Sequence, residues 1–268
     1  MELFDIFALA LIQGITEFLP ISSSGHLALW PILTGHPDQG VTMDVAVHMG
    51  TLAAVCLYFR SETGRLLAGM ADVLRGRWRT EAARLFLMIS LATIPAVVAG
   101  LALKLSGQVE TLRALEVIGW ATLIGGLLLW YADRVGTQRR AGGDWRTSDA
   151  VLMGLTQALA LVPGTSRSGI TMAMARWLGF ERAEAARLSL LMAMPVILAA
   201  GVLETVGLVR DGNLALTTEL AVGATLSCLA ALATLTVMMR MFRGDWTMLP
   251  FVIYRLVLGI GLLALAYS

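Results

Sequence analysis

Charge is what this chain has least of. Asp, Glu, Lys and Arg make up only 15% of its 268 residues, against about 25% in an ordinary soluble domain. Apolar residues reach 57% and the mean hydropathy is +0.75. A soluble fold of this composition would leave large apolar patches in water, so that class is excluded. Disorder is excluded too, because there is apolar surface to bury along most of the length. Lysine is nearly missing: Lys104 stands alone, and the other nineteen basic residues are Arg. No stretch is both basic and rich in aromatics, which excludes a nucleic-acid surface. The two cysteines, Cys56 and Cys228, sit far apart inside apolar runs. That excludes a disulfide framework and reads as two buried free thiols. No positive n-region precedes the first apolar run, so no cleavable signal peptide is expected. What is left is a multispanning membrane protein.

A helix needs about 20 mostly apolar residues to cross a bilayer. Six stretches meet or approach that length: 41–59, 85–103, 114–132, 186–203, 220–239 and 249–267. They lack the alternation of a transmembrane barrel. Two further apolar regions, 3–34 and 151–180, are broken near their middles, by Pro20-Ile21-Ser22-Ser23-Ser24-Gly25 and Pro163-Gly164-Thr165-Ser166-Arg167-Ser168-Gly169. Each flanking piece is too short to cross comfortably, so each region is expected to enter and return by one face. Non-helical backbone at membrane depth is tolerated only where protein buries it or a wet cavity receives it. The fold class expected is therefore an all-α integral membrane protein, with six transmembrane helices plus two re-entrant helical hairpins.

The basic residues test that count. With six crossings, fifteen fall on one side: Arg60, Arg65, Arg75, Arg77, Arg79, Arg84, Arg134, Arg139, Arg140, Arg146, Arg176, Arg182, Arg187, Arg240 and Arg243. The other side receives Lys104, Arg113 and Arg210, while Arg167 and Arg255 fall within membrane segments. The positive-inside rule makes the Arg-rich side cytoplasmic. Both termini and the first hairpin then face the exterior, and the second hairpin opens to the cytoplasm.

The breaks also match each other. Leu11-Ile12-Gln13 through Ser24-Gly25 parallels Leu155-Thr156-Gln157 through Ser168-Gly169, with the same Gln-to-Gly spacing. Val117-Ile118 and Gly126-Leu127-Leu128 recur as Val252-Ile253 and Gly261-Leu262-Leu263. A single membrane domain, 1–268, is expected to hold two copies, 1–135 and 145–268, joined by the polar linker Gly136–Asp144. Three crossings per copy would invert the second relative to the first and bring the breaks together near the midplane.

The polar residues of these breaks are the candidate site. Gln13 and Glu17 are four apart and share a helix face. Glu17 at membrane depth needs a partner, a wet cavity or a task, since burying it costs about 2.5–3.5 kcal/mol on insertion scales. Ser22, Ser23, Ser24 and Gly25 open a helix whose N-terminus is an anion site, with His26 one turn in. The bland alternative for the serines is simple capping. Arg167 offers a planar fork of donors suited to phosphate, flanked by Thr165, Ser166 and Ser168. Carboxylate, hydroxyls, imidazole and guanidinium together suit phosphoryl transfer. Several residues carry less. Asp44 and His48 read equally as a headgroup site or an interfacial pair, and Gln157 as structural. Arg255 reads as snorkelling or as paired with Glu116, His36 as an unremarkable loop residue, and the fourteen methionines as packing.

At these motifs the sequence closely resembles the undecaprenyl-diphosphate phosphatase family, also known as bacitracin-resistance proteins. The resemblance runs along essentially the whole chain. It rests on Gln13-Gly14-Ile15-Thr16-Glu17-Phe18-Leu19-Pro20, on Ser22-Ser23-Ser24-Gly25-His26 and on Pro163 to Gly169. Pro95 and Pro250-Phe251-Val252-Ile253-Tyr254-Arg255 add to it. It implies hydrolysis of undecaprenyl diphosphate to undecaprenyl phosphate and phosphate, recycling the lipid carrier of peptidoglycan synthesis. An integral enzyme of the bacterial inner membrane with a periplasm-facing site is implied with it. So is a divalent cation, Mg or Ca, for which Glu17 is the only carboxylate in a motif that here begins with Gln13. In this scheme Glu17, Ser23, His26 and Arg167 are catalytic. Gln13, Ser22, Ser24, Gly25, Thr165, Ser166 and Ser168 bind substrate. Ser23 is the preferred nucleophile, with Ser24 and His26 as alternatives; His26 is otherwise the acid for the leaving group. The rival reading is a transporter that flips a polyprenyl phosphate. Chain-length preference is not readable from the sequence, and a homodimer is left open.

Overall fold

The computed structural model describes residues 3–36, 39–141, 144–210, 212 and 217–268. Among them the chain forms α1 (Leu3–Thr16), α2 (Ser23–Thr34), α3 (Gly40–Tyr58), α4 (Arg60–Leu74), α5 (Glu81–Ser106), α6 (Val109–Leu112), α7 (Leu115–Val135), α8 (Thr147–Ala158), α9 (Arg167–Trp177), α10 (Arg182–Arg210), α11 (Thr218–Arg243) and α12 (Leu249–Ala266). A short 3₁₀ turn, Leu159–Leu161, follows α8. No strand forms among the described residues. The fold is all-α.

Six of these helices, α3, α5, α7, α10, α11 and α12, are long and apolar enough to cross a membrane. They coincide with the six stretches read from the sequence. By contrast α1, α2, α8 and α9 have 14, 12, 12 and 11 residues. At 1.5 Å per residue none exceeds about 21 Å, short of a hydrocarbon core about 30 Å thick.

Each short pair doubles back on itself. His36, just past α2, holds Asp5 at the start of α1, Nδ1 to Oδ1 2.6 Å. His36 is thus a tie and not the unremarkable loop residue the sequence indicated. The second pair closes through Arg140, which bonds Asp149 in α8 at 2.5 Å and the carbonyl of Leu178 past α9 at 3.1 Å.

The Arg-rich loops gather at one end of the bundle. Arg187 reaches Glu62 (3.8 Å), Arg182 binds Asp133 (2.8 Å), the Met248 amide donates to Asp133 (3.2 Å) and Arg84 donates to the carbonyl of Trp145 (3.4 Å). One of the fifteen basic residues is buried outright. Arg176 is fully buried in α9, bonded to Asp133 Oδ1 at 2.9 Å and to the carbonyl of Phe180. A guanidinium can be buried there because an acid and several carbonyls accept its protons.

Close helix contacts use small residues, as expected where lipid removes much of the hydrophobic drive for helix association. Gly14 lets α1 approach α11, where an added Cβ would lie 2.6 Å from the Ser227 carbonyl oxygen. Gly154 does the same for α8 on α5, at 2.6 Å from the Ala92 carbonyl oxygen.

Candidate active site

The chain between α1 and α2, and that between α8 and α9, turn sharply to reverse direction. Both turns place a serine at positive φ directly before the returning helix: Ser22 (φ 76°, ψ 93°) and Ser166 (φ 67°, ψ 110°). They interlock. The Gly164 amide donates to Ser24 Oγ (3.2 Å), and Ser168 Oγ donates to the Leu19 carbonyl (2.8 Å).

Arg255 locks this junction from α12. It is fully buried, and its guanidinium donates to the carbonyls of Pro20 (3.4 Å), Gly164 (3.1 Å) and Thr165 (2.9 Å), and to Ala121 and Thr122 of α7 (3.4 and 3.1 Å). It neither snorkels nor pairs with Glu116, the two roles the sequence indicated. The carbonyls of Pro20, Gly164 and Thr165 lie outside any helix, and only that of Gly164 has a further donor, Thr122 Oγ1 at 3.3 Å, so the cation is satisfied by backbone dipoles.

Glu17 sits at the centre. Its Oε2 accepts from Ser23 Oγ (2.7 Å) and Gln13 Nε2 (2.9 Å), while Oε1 accepts from Arg167 Nη2 (3.0 Å). Both partners of the Glu17–Arg167 pair are largely buried, 8% and 11% exposed, so little water screens their attraction. Arg167 also donates to the Ser189 carbonyl (3.3 Å) and lies 5.9 Å from the centroid of Phe18. Two of its five N–H donors are thus spoken for, and the rest of the fork can serve an anion.

His26 is held at both nitrogens. The Ser22 carbonyl, 2.7 Å from Nδ1, can only accept, so Nδ1 carries hydrogen. Nε2 lies 2.5 Å from Tyr254 Oη, and the two rings stack 5.5 Å apart at 10°. His48 on α3 also enters the site, with Nε2 3.8 Å from Glu17 Oε2 and Nδ1 hydrogen-bonded to the Asp44 carbonyl at 2.7 Å.

The fold therefore brings together Gln13, Glu17, Ser22, Ser23, Ser24, Gly25 and His26 from the first break with Thr165, Ser166, Arg167 and Ser168 from the second. They are not alike in availability. The hydroxyls of Ser166 and Ser168 are engaged within the protein: Ser166 Oγ caps the Gly169 amide (3.1 Å) and lies 3.1 Å from Ser168 Oγ. Thr165 presents its carbonyl to Arg255. Ser22 makes no such side-chain cap for α2. The first amides of α2, at Ser23 to Gly25, thus keep their donors for a ligand.

The sequence assigned no site role to Tyr254, which lies 228 residues from His26 and reaches it only because α12 and α2 both pack on α7. It also left His48 undecided; a histidine one turn past an aspartate reads as an interface pair until α3 is seen beside α1.

Comparison with known proteins settles the family. A family model described as bacitracin resistance protein BacA matches residues 6–261. Proteins named undecaprenyl-diphosphatase from Dinoroseobacter shibae, Ruegeria pomeroyi and Jannaschia sp. are 51%, 50% and 49% identical over the full length of both chains. The chain belongs to the BacA family. In this BacA-family chain the motifs Gln13–His26 and Pro163–Gly169, on which the resemblance was drawn, are the two interlocked breaks. Tyr254 and Arg255 come from the Pro250–Arg255 stretch of α12, and His48 and Ser189 from α3 and α10.

Among the described residues no three His, Cys, Asp or Glu side chains cluster to hold a metal. The site nevertheless has one oxygen in want of a partner, the buried Gln13 Oε1, four residues from Glu17. A lone carboxylate with an amide oxygen suits Mg or Ca shared with phosphate oxygens rather than caged by protein alone.

Proposed function

We propose that this protein is an integral-membrane hydrolase that converts undecaprenyl diphosphate to undecaprenyl phosphate and inorganic phosphate, recycling the lipid carrier of cell-wall synthesis. One observation carries the reading: Ser23 Oγ donates to a carboxylate, Glu17, whose other oxygen is bound by Arg167. Nucleophile, base and phosphate clamp meet in one hydrogen-bonded cluster.

The two doubled-back pairs are re-entrant in the bilayer, and 1–135 and 145–268 are inverted copies. The matched backbones of Ser22 and Ser166 support this, as does the packing of α1 on α11 and of α8 on α5. The Arg-rich end is cytoplasmic in the inner membrane, so α1 and α2 open to the periplasm and the diphosphate enters from there.

Terminal phosphate binds the Arg167 fork and the first amides of α2. Ser23 Oγ attacks the terminal phosphorus while its proton passes to Glu17, and the bond to the bridging oxygen breaks. That oxygen leaves on the lipid phosphate with a proton from His26. Water then attacks the phosphoserine, giving its proton to neutral His26, and Ser23 recovers its proton from Glu17. Every group returns to its starting state. Ser24 is less suited to attack because its hydroxyl is tied to Gly164 and Ser22. His26 is less suited because Tyr254 covers Nε2. Glu17 and Gln13 Oε1 are the protein oxygens proposed for Mg or Ca, which when bound would offset phosphate charge.

The test uses purified protein and undecaprenyl diphosphate. Phosphate release, with a trapped phosphoryl group mapped to Ser23, is expected. Absence of release together with lipid movement in liposomes would make the protein a transporter instead.

A further inference from the structure

We infer that Tyr254 is the proton relay between His26 and the leaving group. The inference rests on the hydrolase reading above and adds a residue to it.

The hydrogen-bond directions force this role. The Ser22 carbonyl can only accept, so the Nδ1 hydrogen of His26 is committed to it in both charge states. Any proton His26 gives or takes therefore moves through Nε2. Nε2 is covered by Tyr254 Oη at 2.5 Å, with the rings stacked. A leaving oxygen thus meets the phenol before it meets the imidazole. Tyr254 is 45% exposed, so the protein does not enclose it.

A phenol can both donate and accept, and its hydrogen rotates. When His26 is cationic, Nε2–H donates to Tyr254 Oη and the phenol hydrogen points outward. As the bond between terminal phosphorus and bridging oxygen breaks, the outward hydrogen goes to that oxygen and the Nε2 hydrogen moves to Oη. Tyr254 is left neutral and now donates to Nε2, which is the bond neutral His26 requires. When water attacks the phosphoserine, it gives a hydrogen to Tyr254 Oη while the hydrogen that Tyr254 was donating moves onto Nε2, and His26 is cationic again. No phenolate forms and no other proton carrier is needed.

The neighbouring residue explains why the phenol stays in place. Arg255 fixes this turn of α12 to both breaks through Pro20, Gly164 and Thr165. The same turn then holds Tyr254 over His26.

The test is a double-mutant cycle on phosphate release from undecaprenyl diphosphate by full-length protein. Tyr254→Phe keeps the ring and its stack and removes only the hydroxyl. It should lower kcat roughly 10- to 100-fold, below the usual range for losing a general acid because bulk water can substitute in part. KM and thermal unfolding should hold within about twofold and about 2 °C. In a His26→Asn background Tyr254→Phe should have no further effect, since a relay has nothing to pass on. An unchanged kcat would overturn the relay. So would a raised KM with kcat intact, or an equal further loss in the His26→Asn background. Wild-type protein that releases no phosphate would overturn the hydrolase reading and the relay with it.

Discussion

Ser22 and Ser166, 144 residues apart, adopt nearly the same positive-φ backbone, φ 76° and ψ 93° against φ 67° and ψ 110°. A non-glycine residue held there costs about 1–3 kcal/mol, so two such residues at matching places in two motifs mark one shared device. In that register Ser23 falls where Arg167 does, Glu17 where Leu161 does and His26 where Ile170 does. The backbone device is common to both breaks. The proposed nucleophile, base and acid lie on the first break and the proposed clamp on the second.

Ser23→Ala should lower phosphate release by roughly 1,000-fold or more, the scale seen when a covalent nucleophile is lost. It should also abolish any trapped phosphoryl group. Near-normal turnover in a detergent assay would remove Ser23 from the role.

Arg167→Lys keeps the charge but loses the fork, since an ammonium cannot bind two oxygens in one plane. The distance to Glu17 Oε1, 3.0 Å, is also set for the longer guanidinium. A drop of about 10- to 100-fold in kcat/KM is expected. Retained activity in steady-state kinetics would rule out the clamp.

Arg255→Met should destabilise the protein by about 3 kcal/mol or more, because in a buried place the carbonyls of Pro20 and Thr165 lose their donor and that of Gly164 loses one of two. Arg255→Lys should rescue only in part, as one ammonium cannot span both breaks and α7. Thermal unfolding in detergent, read beside activity, measures both.

Gly164→Ala tests the second turn. Gly164 sits at φ +93°, and an added Cβ would lie 2.3 Å from the Ile118 carbonyl oxygen, a backbone atom with no freedom to yield. Strain and overlap together should cost about 3 kcal/mol or more. Unfolding near the wild-type temperature would contradict the turn as built.

Chelation of divalent cations should lower phosphate release, and added Mg or Ca should restore it. Gln13→Leu removes the unpartnered amide oxygen together with the Nε2 hydrogen bond to Glu17, and should raise the metal concentration for half-maximal rate by about tenfold or more. A rate indifferent to chelator would remove the metal from the site.

Much of this was legible along the chain. The six long helices follow from run length, because lipid requires about 20 apolar residues and the sequence supplies six such runs. The breaks announced themselves because Pro, Gly and Ser are the residues that end helices, and an ionisable Glu17 or Arg167 at membrane depth is rare enough to be noticed. Arg176 and Arg255 were harder. Their cost is relieved by partners scattered over 40 to 235 residues of sequence, Gly136 and Asp133 for one and Pro20 and Gly164 for the other. Tyr254 stood out only as part of the Pro250–Arg255 motif and His48 only beside Asp44, because neither a tyrosine in an apolar helix nor a histidine near an aspartate says by itself which distant group it meets.

The sparse charge of this chain decided its class, its spans and the two segments to suspect, since the bilayer penalises each polar group one at a time and leaves that penalty visible in one dimension. Packing decided which of those groups touch. Hydrogen bonds act over about 3 Å, and the contacts of Glu17 with Arg167, of His26 with Tyr254 and of Arg255 with both turns join residues from distant parts of the chain. Only the folded bundle brings them within that reach.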